Sequence, residues 1–317
     1  MELTLAIDQL TRSDVPIAGG KAANLGELTC ARMPVPPGFA VTVTACDEFL
    51  EAVGLRSRID SLLRPEPATG GNEALAREMR SLIANAEMPG PIASAIAAAY
   101  GAMAPGPVAV RSSATAEDLA EASFAGQQET FLNVEGEAAV IRAVQNCWAS
   151  LFEERAVHYR ANAGFAHCDA KMAVVVQRMV QADTSGVMFT LNPVTGDRSQ
   201  LLIEAVYGLG EAVVSGVVTP DLYIVEKSSG IILDRQVTAE DRELVQRRAG
   251  SSGTELNEWV PVGHDRRSEP KLADAEIRQL AAIGASLERH FGCPQDIEWA
   301  TQSEAFYILQ ARPVTGL

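Results

Sequence analysis

The sequence predicts a mixed α+β protein built as two lobes, here drawn at residues 1–178 and 179–317. Three observations lead there. At 317 residues the chain is long enough for two domains or two lobes of one enzyme. Stretches with helical spacing (73–84, 91–100, 274–291) are interleaved with β-branched runs such as MAVVVQRMV at 172–180. The C-terminal end carries two short runs, 296–300 and 305–312, that read as an antiparallel hairpin.

In chain order, a turn at Gly19, Gly20 and Lys21 opens the helix-like AANLGEL. Pro34, Pro36 and Pro37 enforce an extended turn, after which Phe39, Val41 and Val43 alternate as in a half-buried strand. A helix is expected from near Thr44, with Thr44 as its cap and Asp47 three residues on. Residues 64–72 read as a loop, and 104–107 as a breaker before a strand at 108–110. Residues 137–161 are expected to be helical throughout, with Trp148, Leu151 and Phe152 on the apolar stripe. The run at 172–180 has the near-continuous apolar character of a buried strand. Strands follow at 187–191 and 201–206, separated by a turn at 192–197, and at 221–226. The polar stretch 247–270 reads as a flexible connection. In the helix at 274–291, Ile277, Leu280, Ala281, Gly284, Leu287 and Phe291 share a face, and Gly292 stops it.

Composition narrows the function. Hydrophobic residues make up 47% and charged residues 21%, as in an ordinary globular protein. A net charge of −15 argues against a nucleic-acid partner, whose phosphates demand a basic face, yet leaves room for a nucleotide held by a few local cations. The N-terminal MELTLAIDQLTRSD lacks a signal-peptide core, and no apolar run approaches the ~20 residues that span a bilayer. Cys30, Cys46, Cys147, Cys168 and Cys293 are scattered and never spaced as CxxC, which suits reduced thiols of a cytoplasmic protein. His167 beside Cys168 is a weak metal signal.

The most informative stretch is VAVRSSATAEDLAEASFAGQQETFLNV at 108–134. It sets Arg111 beside the hydroxyls of Ser112, Ser113 and Thr115, then places Gly126 just before Gln127, Gln128, Glu129 and Thr130. Phosphate oxygens accept from guanidinium, hydroxyl and bare backbone N–H groups together, so the pattern suits a polyphosphate; an Arg- and Ser-rich surface loop is the plain alternative. Lys21 after two glycines is a second phosphate candidate, outside any Walker A loop: GxxxxGK[ST] needs Gly at 15 and Ser or Thr at 22, where the chain has Val15 and Ala22. Gly208-Leu209-Gly210 likewise lacks a Rossmann context. In the C-terminal hairpin, Asp296 and Glu298 share a face, as do Gln310 and Arg312, but spacing alone leaves the register open. Two carboxylates and an amide oxygen are hard ligands suited to Mg²⁺, and Arg312 suits developing phosphate charge; a surface hairpin with a salt bridge is the alternative. Gln177 interrupts an apolar strand, as a satisfied core amide or as a group facing an adenine edge. Glu204 and Glu211 flank YGLGEA in capping, solvated or metal-binding roles. The contexts of the four histidines suggest neither a general base nor a phosphoryl carrier.

Six segments in order, GGKAANLGEL, VPPGFAVT, VAVRSSATAEDLAEASFAGQQET, SGVMFTLNPVTG, GLGEAVVSGVVTPDLYIV and QDIEWA…FYILQARPVT, resemble the N-terminal nucleotide-binding domain of the phosphoenolpyruvate synthase and pyruvate phosphate dikinase family, which includes rifamycin phosphotransferases. The resemblance implies an ATP-grasp-like fold whose two lobes close on ATP with Mg²⁺. Lys21, Arg111 and Arg312 would grip and activate the phosphates, and Gly126 and Thr130 would lie on the loop covering them. Gln177 and the backbone near Met179 would hold adenine. Glu298 and Gln310 would bind the metal, supported by Asp296. ATP would phosphorylate a histidine on a separate swivelling carrier domain, releasing AMP, for transfer to an acceptor on a third domain. Neither of those domains is read in these 317 residues, which would be an excised domain or a subunit with partner chains. Pyruvate is the expected acceptor; a rifamycin or phenol hydroxyl, an ATP-grasp ligase, and a nucleotide-sensing subunit are the alternatives.

Overall fold

The computed structural model describes residues 2–62, 72–104, 106–114, 129–163, 170–247 and 256–315. The chain divides into two compact units, Met1–Gly26 with Pro37–Met179, and Glu27–Pro36 with Val180–Leu317. The fold is mixed α and β, and the strand pairings within the named strands are antiparallel.

The first unit contains β1 (Thr4–Ala6), the start of α1 (Val15–Cys30), β2 (Gly38–Val41), α2 (Val43–Ala52), α3 (Leu55–Leu62), α4 (Asn72–Asn85) and α5 (Gly90–Ala102). It continues through β3 (Val108–Ala114), β4 (Thr130–Val134), α6 (Glu137–Ser150), α7 (Glu154–Ala163) and β5 (Met172–Arg178). Among the described residues its sheet runs β1-β2-β5-β3-β4. Alternation along the strands sends Phe39, Val41, Val108, Val110, Val174 and Val176 into one core with the helices. At its centre Trp148 lies 5.1 Å from Phe49, centroid to centroid, and its indole N–H donates to the Met172 carbonyl at 3.2 Å. Burying each such aromatic contributes roughly 1.5–3 kcal/mol, so this face of the sheet is a rigid floor.

Two local readings are corrected here. The cap of α2 is Thr42, whose hydroxyl accepts from the Ala45 N–H at 3.3 Å; Val43 is helical rather than the end of a strand, and Thr44 lies inside the helix. The stretch 137–161 is two helices. α6 ends at Ser150, whose hydroxyl donates to the Cys147 carbonyl at 2.7 Å, while Arg160 of α7 donates to the Leu151 carbonyl and fixes the break. No glycine or proline marks that break, so its cause is tertiary.

The second unit contains β6 (Thr184–Phe189), β7 (Gln200–Tyr207), the short α8 (Glu211–Val214), β8 (Asp221–Glu226) and β9 (Ile232–Gln236). β10 (Arg242–Gln246), β11 (Asn257–Pro261), α9 (Asp274–Phe291), β12 (Gln295–Gln302) and β13 (Ala305–Pro313) complete it. Its main sheet runs β13-β12-β6-β7-β8-β9, with β10-β11 as a separate pair. The stretch read as a flexible connection therefore contains a strand, β11; residues 248–255 lie outside the described residues. α9 follows its apolar spacing, and Gly292 ends it at φ 74°, the left-handed conformation glycine adopts without a Cβ penalty. Gly284 presses against the sheet, since a Cβ there would lie 2.8 Å from the Met188 thioether. Among the described residues no helix is long and apolar enough to cross a membrane.

Candidate functional site

In the first unit the candidates gather on the sheet face opposite the helical core. Arg111 on β3 stands across from Thr130 on β4 and from Val175 on β5. Gln177, two residues along β5, shares that face, and its rung neighbours are Ala109 and Gly38. Gly38, Ala40, Ala109 and Ala173 leave the face low between the long side chains. Arg111 is half-buried, Thr130 exposed and Gln177 buried. The amide of Met179 donates to the Pro107 carbonyl at 3.0 Å, which fixes the chain just beyond β5.

Lys21 comes to β3 through a turn that needs glycine. Gly19 interrupts α1 at φ 76°, ψ 166°, and a Cβ on it would meet the Ser113 backbone oxygen at 2.2 Å and Oγ at 2.4 Å. Ser113 fastens the turn from both sides: its hydroxyl donates to the Ala18 carbonyl at 3.0 Å and accepts from the Ala22 N–H at 3.3 Å. The buried Lys21 is thus tied to the strand that carries Arg111, so the two phosphate candidates of this unit belong to one construction. Its ammonium is felt inside the unit. Burial pushes the Cys147 thiol up, the Glu129 carboxylate adds to that, and Lys21 opposes it. Glu129 is itself raised by burial and by a hydrogen-bonded Glu153, with Arg80 opposing.

In the second unit the structure supplies the hairpin register. Glu298 pairs with Gln310 and Asp296 with Arg312. The first rung runs on across the sheet through Val187 to Glu204, so Gln310, Glu298 and Glu204 share a face. The opposite face, with Ile297, Trp299 and Met188, is buried. Arg312 Nε donates to Asp296 Oδ2 at 2.9 Å, and its Nη2 stands 2.8 Å from the same oxygen in the ion pair. Burial nevertheless raises Asp296 above the usual carboxylate range, Arg312 opposing and Glu298 adding repulsion. Glu204 is raised by burial and then by Asp296. Glu204 is the residue that spacing undervalued: a lone acid in the apolar run LLIEAVY was its signal, and only the rung shows that it joins the acidic face. Glu211 is the first residue of α8, raised by burial.

The donor set fits a hard divalent cation. The Gln310 Oε1 is buried and has no hydrogen-bond partner among the described residues, directly across from Glu298. No group of three or more His, Cys, Asp or Glu that could hold a metal occurs among the described residues; Mg²⁺ ordinarily binds through one or two carboxylates and keeps several waters or phosphate oxygens. Two surface grooves of about 510 and 550 Å³, along β9 and at the end of α9, carry none of the candidates. One contact is invisible in sequence: His290 in the last turn of α9 lies 2.8 Å from Glu27, a partly exposed pair at a helix C-terminus.

Residues 15–317 match the family described as pyruvate phosphate dikinase, AMP/ATP-binding domain. The chain belongs to this family. A probable phosphoenolpyruvate synthase of Methanocaldococcus jannaschii is 44% identical over all of this chain and 27% of its own length. One from Methanothermobacter thermautotrophicus is 45% identical over 98% of this chain and 46% of its own. The phosphoenolpyruvate synthase of Pyrococcus furiosus is 41% identical over 98% and 43%. The chain thus spans between about a quarter and a half of the length of these relatives. As a member of this family it is an AMP/ATP-binding domain. Gly126, Thr115, Gln127 and Gln128, and the His167–Cys168 pair, lie outside the described residues.

Proposed function

We propose that this chain binds Mg-ATP and activates it for phosphorylation of a histidine on a carrier domain, ATP, the histidine and one water giving phosphohistidine, AMP and phosphate. Lys21 and Arg111 supply charge-assisted hydrogen bonds to the polyphosphate, with Thr130 beside them. The Gln177 amide and the Met179 backbone hold the adenine edge; the Met179 N–H already serves Pro107, so its carbonyl is the group left for the exocyclic amine. From the second unit, Glu298 and Gln310 hold Mg²⁺, which neutralises phosphate oxygens when bound. Asp296 orients Arg312 through a hydrogen bond and an ion pair to one oxygen, so the guanidinium is held ready for phosphate charge. In this reading Lys21, Arg111 and Arg312 are the catalytic cations, the protein's task being to position and stabilise charge.

The observation that carries the reading is the Glu298–Gln310 rung with its unpartnered amide oxygen, beside the Asp296–Arg312 rung, in a chain of this family. The names of the relatives favour pyruvate as the final acceptor over a rifamycin or a phenol. The chain's partial span of those relatives favours carrier and acceptor domains carried by a longer polypeptide or by partner chains. The test combines this chain, Mg-ATP and a carrier domain from a phosphoenolpyruvate synthase relative. AMP, phosphate and an acid-labile phosphohistidine are expected, and Glu298→Ala should abolish all three. ADP as the nucleotide product, or label transfer untouched by Glu298→Ala, would exclude the proposal.

A further inference from the structure

A second constellation lies in the second unit, apart from the candidate residues. Lys271, just before α9, is buried, with its ammonium inaccessible to solvent, as is the carboxylate of Asp221 at the start of β8. The ammonium donates to Asp221 Oδ1 at 2.8 Å and to the Thr238 carbonyl, and lies over the Tyr207 ring at 5.2 Å. Asp221 is fully engaged besides: it accepts from Tyr223 O–H at 2.7 Å and from the backbone N–H of Thr238 and of Lys271, both at 2.9 Å. Glu240 completes the cluster. One of its oxygens accepts the Tyr207 N–H at 3.1 Å and stands 3.9 Å from the ammonium; the other is buried with no partner among the described residues.

One buried ammonium therefore faces two buried carboxyls, and Asp221 holds the shorter contact. With both carboxyls ionised the cluster carries an uncompensated negative charge, and the unpartnered oxygen of Glu240 has nothing to accept from. A proton on Glu240 removes that charge. Among the described residues no second cation stands at hydrogen-bond range of Glu240. Arg266 stacks on Tyr207 at 4.3 Å and pairs with Glu243, and Arg267 pairs with Asp241. Glu243 itself repels Glu240.

Glu240 occupies the point where the excursion between β9 and α9 attaches to β7. Its own N–H donates to the Arg267 carbonyl at 2.9 Å, closing that excursion on itself. Four residues on, the Leu244 carbonyl accepts the Leu209 N–H at 2.8 Å, and Gly208 bridges Leu244. A Cβ on Gly208 would lie 2.3 Å from that carbonyl, so the approach is close.

We propose that Glu240 is a buried, proton-binding latch: protonated, it seals the β10–β11 excursion onto β7 and the Gly208–Leu209 turn, and ionised, it loosens that seal. Burial supports this, raising the carboxyl from its ordinary 4.5 to about 7 despite the Tyr207 N–H and Lys271. The sign follows from linkage. A raised acid favours the closed form fully below its open-form value, and the advantage is lost as pH rises through the closed-form value. Opening with a carboxyl at 4.5 when exposed and about 7 when sealed should become about tenfold easier between about pH 6 and pH 8.

The test is hydrogen exchange on the full chain, following the amides of Tyr207, Leu209 and Glu240 and correcting for intrinsic exchange rates. Wild-type protection should fall about tenfold over that range, whereas Glu240→Gln, neutral at every pH, should show a flat profile. Parallel profiles in the two proteins would overturn the latch. Should Glu240→Gln fail to fold, carbon-13 labelling of glutamate carboxyls in the wild type gives the same decision. The resonance assigned to Glu240 titrating near neutrality supports the proposal, and Glu240 titrating in the usual carboxylate range refutes it.

Discussion

Replacing Gly19 with alanine should damage the first unit's stability and its phosphate candidates together. Gly19 adopts φ 76°, ψ 166°, an almost glycine-only region that costs an L-residue of order 1–3 kcal/mol. The new Cβ would also fall 2.2 Å from the Ser113 backbone oxygen and 2.4 Å from its Oγ. The first contact is with a strand paired on β5, so relief requires the turn to move rather than a side chain to rotate. Overpacking of this kind costs typically ~1–3 kcal/mol, giving a combined loss of about 2–6 kcal/mol. For a unit of this size each kcal/mol lowers the melting temperature by about 2–4 °C, so a 3 kcal/mol loss is about 6–12 °C. Movement of the turn also carries Lys21 away from Arg111, so Mg-ATP affinity should fall at temperatures where the variant is still folded. Differential scanning fluorimetry and isothermal titration read the two effects separately. Adding Ser113→Ala should not rescue the variant, because it removes only the Oγ contact and leaves the carbonyl. An unchanged melting temperature with unchanged ATP affinity, or full rescue by Ser113→Ala, would refute the steric argument.

Lys21→Ala and Arg111→Ala should each weaken Mg-ATP binding by about 1.5–3 kcal/mol, roughly 10- to 150-fold by calorimetry, since each removes a charge-assisted contact. Gln310→Leu should abolish Mg²⁺-dependent ATP binding without lowering the melting temperature, because it removes a buried oxygen that makes no hydrogen bond among the described residues. Asp296 and Glu204 are both raised above their ordinary values. Their contribution is therefore fully present below the unfolded carboxylate range and declines as pH rises through the folded values. Asp296→Asn should flatten part of the fall in metal-free stability with rising pH, and chelation of Mg²⁺ should matter less at acidic pH, both read from thermal melts. Lys271→Met leaves the buried carboxylate of Asp221 without its cation and should cost about 3–5 kcal/mol in chemical denaturation.

Much of the architecture was legible in the sequence because local signals agreed with the tertiary outcome. α9 follows its apolar spacing from Asp274 to its glycine stop, and β5 is buried along nearly its whole length, as its run of valines suggests. The misreadings came where neighbours in space overrode neighbours in sequence. α6 breaks after Ser150 because Arg160 takes the Leu151 carbonyl, and β11 forms inside a polar stretch because β10 offers it a partner. The segment Glu27–Pro36 belongs with the second unit although it precedes most of the first.

The candidate residues themselves were legible, as a cation after two glycines, an arginine among hydroxyls and paired acids on a hairpin. Motif order alone also sufficed to indicate the family, since six segments in sequence constrain identity without any coordinates. What only the tertiary structure decided is who faces whom. Strand register depends on hydrogen bonds between distant segments, so Glu298 opposite Gln310, and Glu204 on the same face, could not be read from spacing. The tie between Lys21 and Arg111 through Ser113, and the buried meeting of Lys271, Asp221 and Glu240, join residues far apart in the chain. Charge and hydrogen bonding act over a few ångströms of space, and the chain brings those ångströms together only once it has folded.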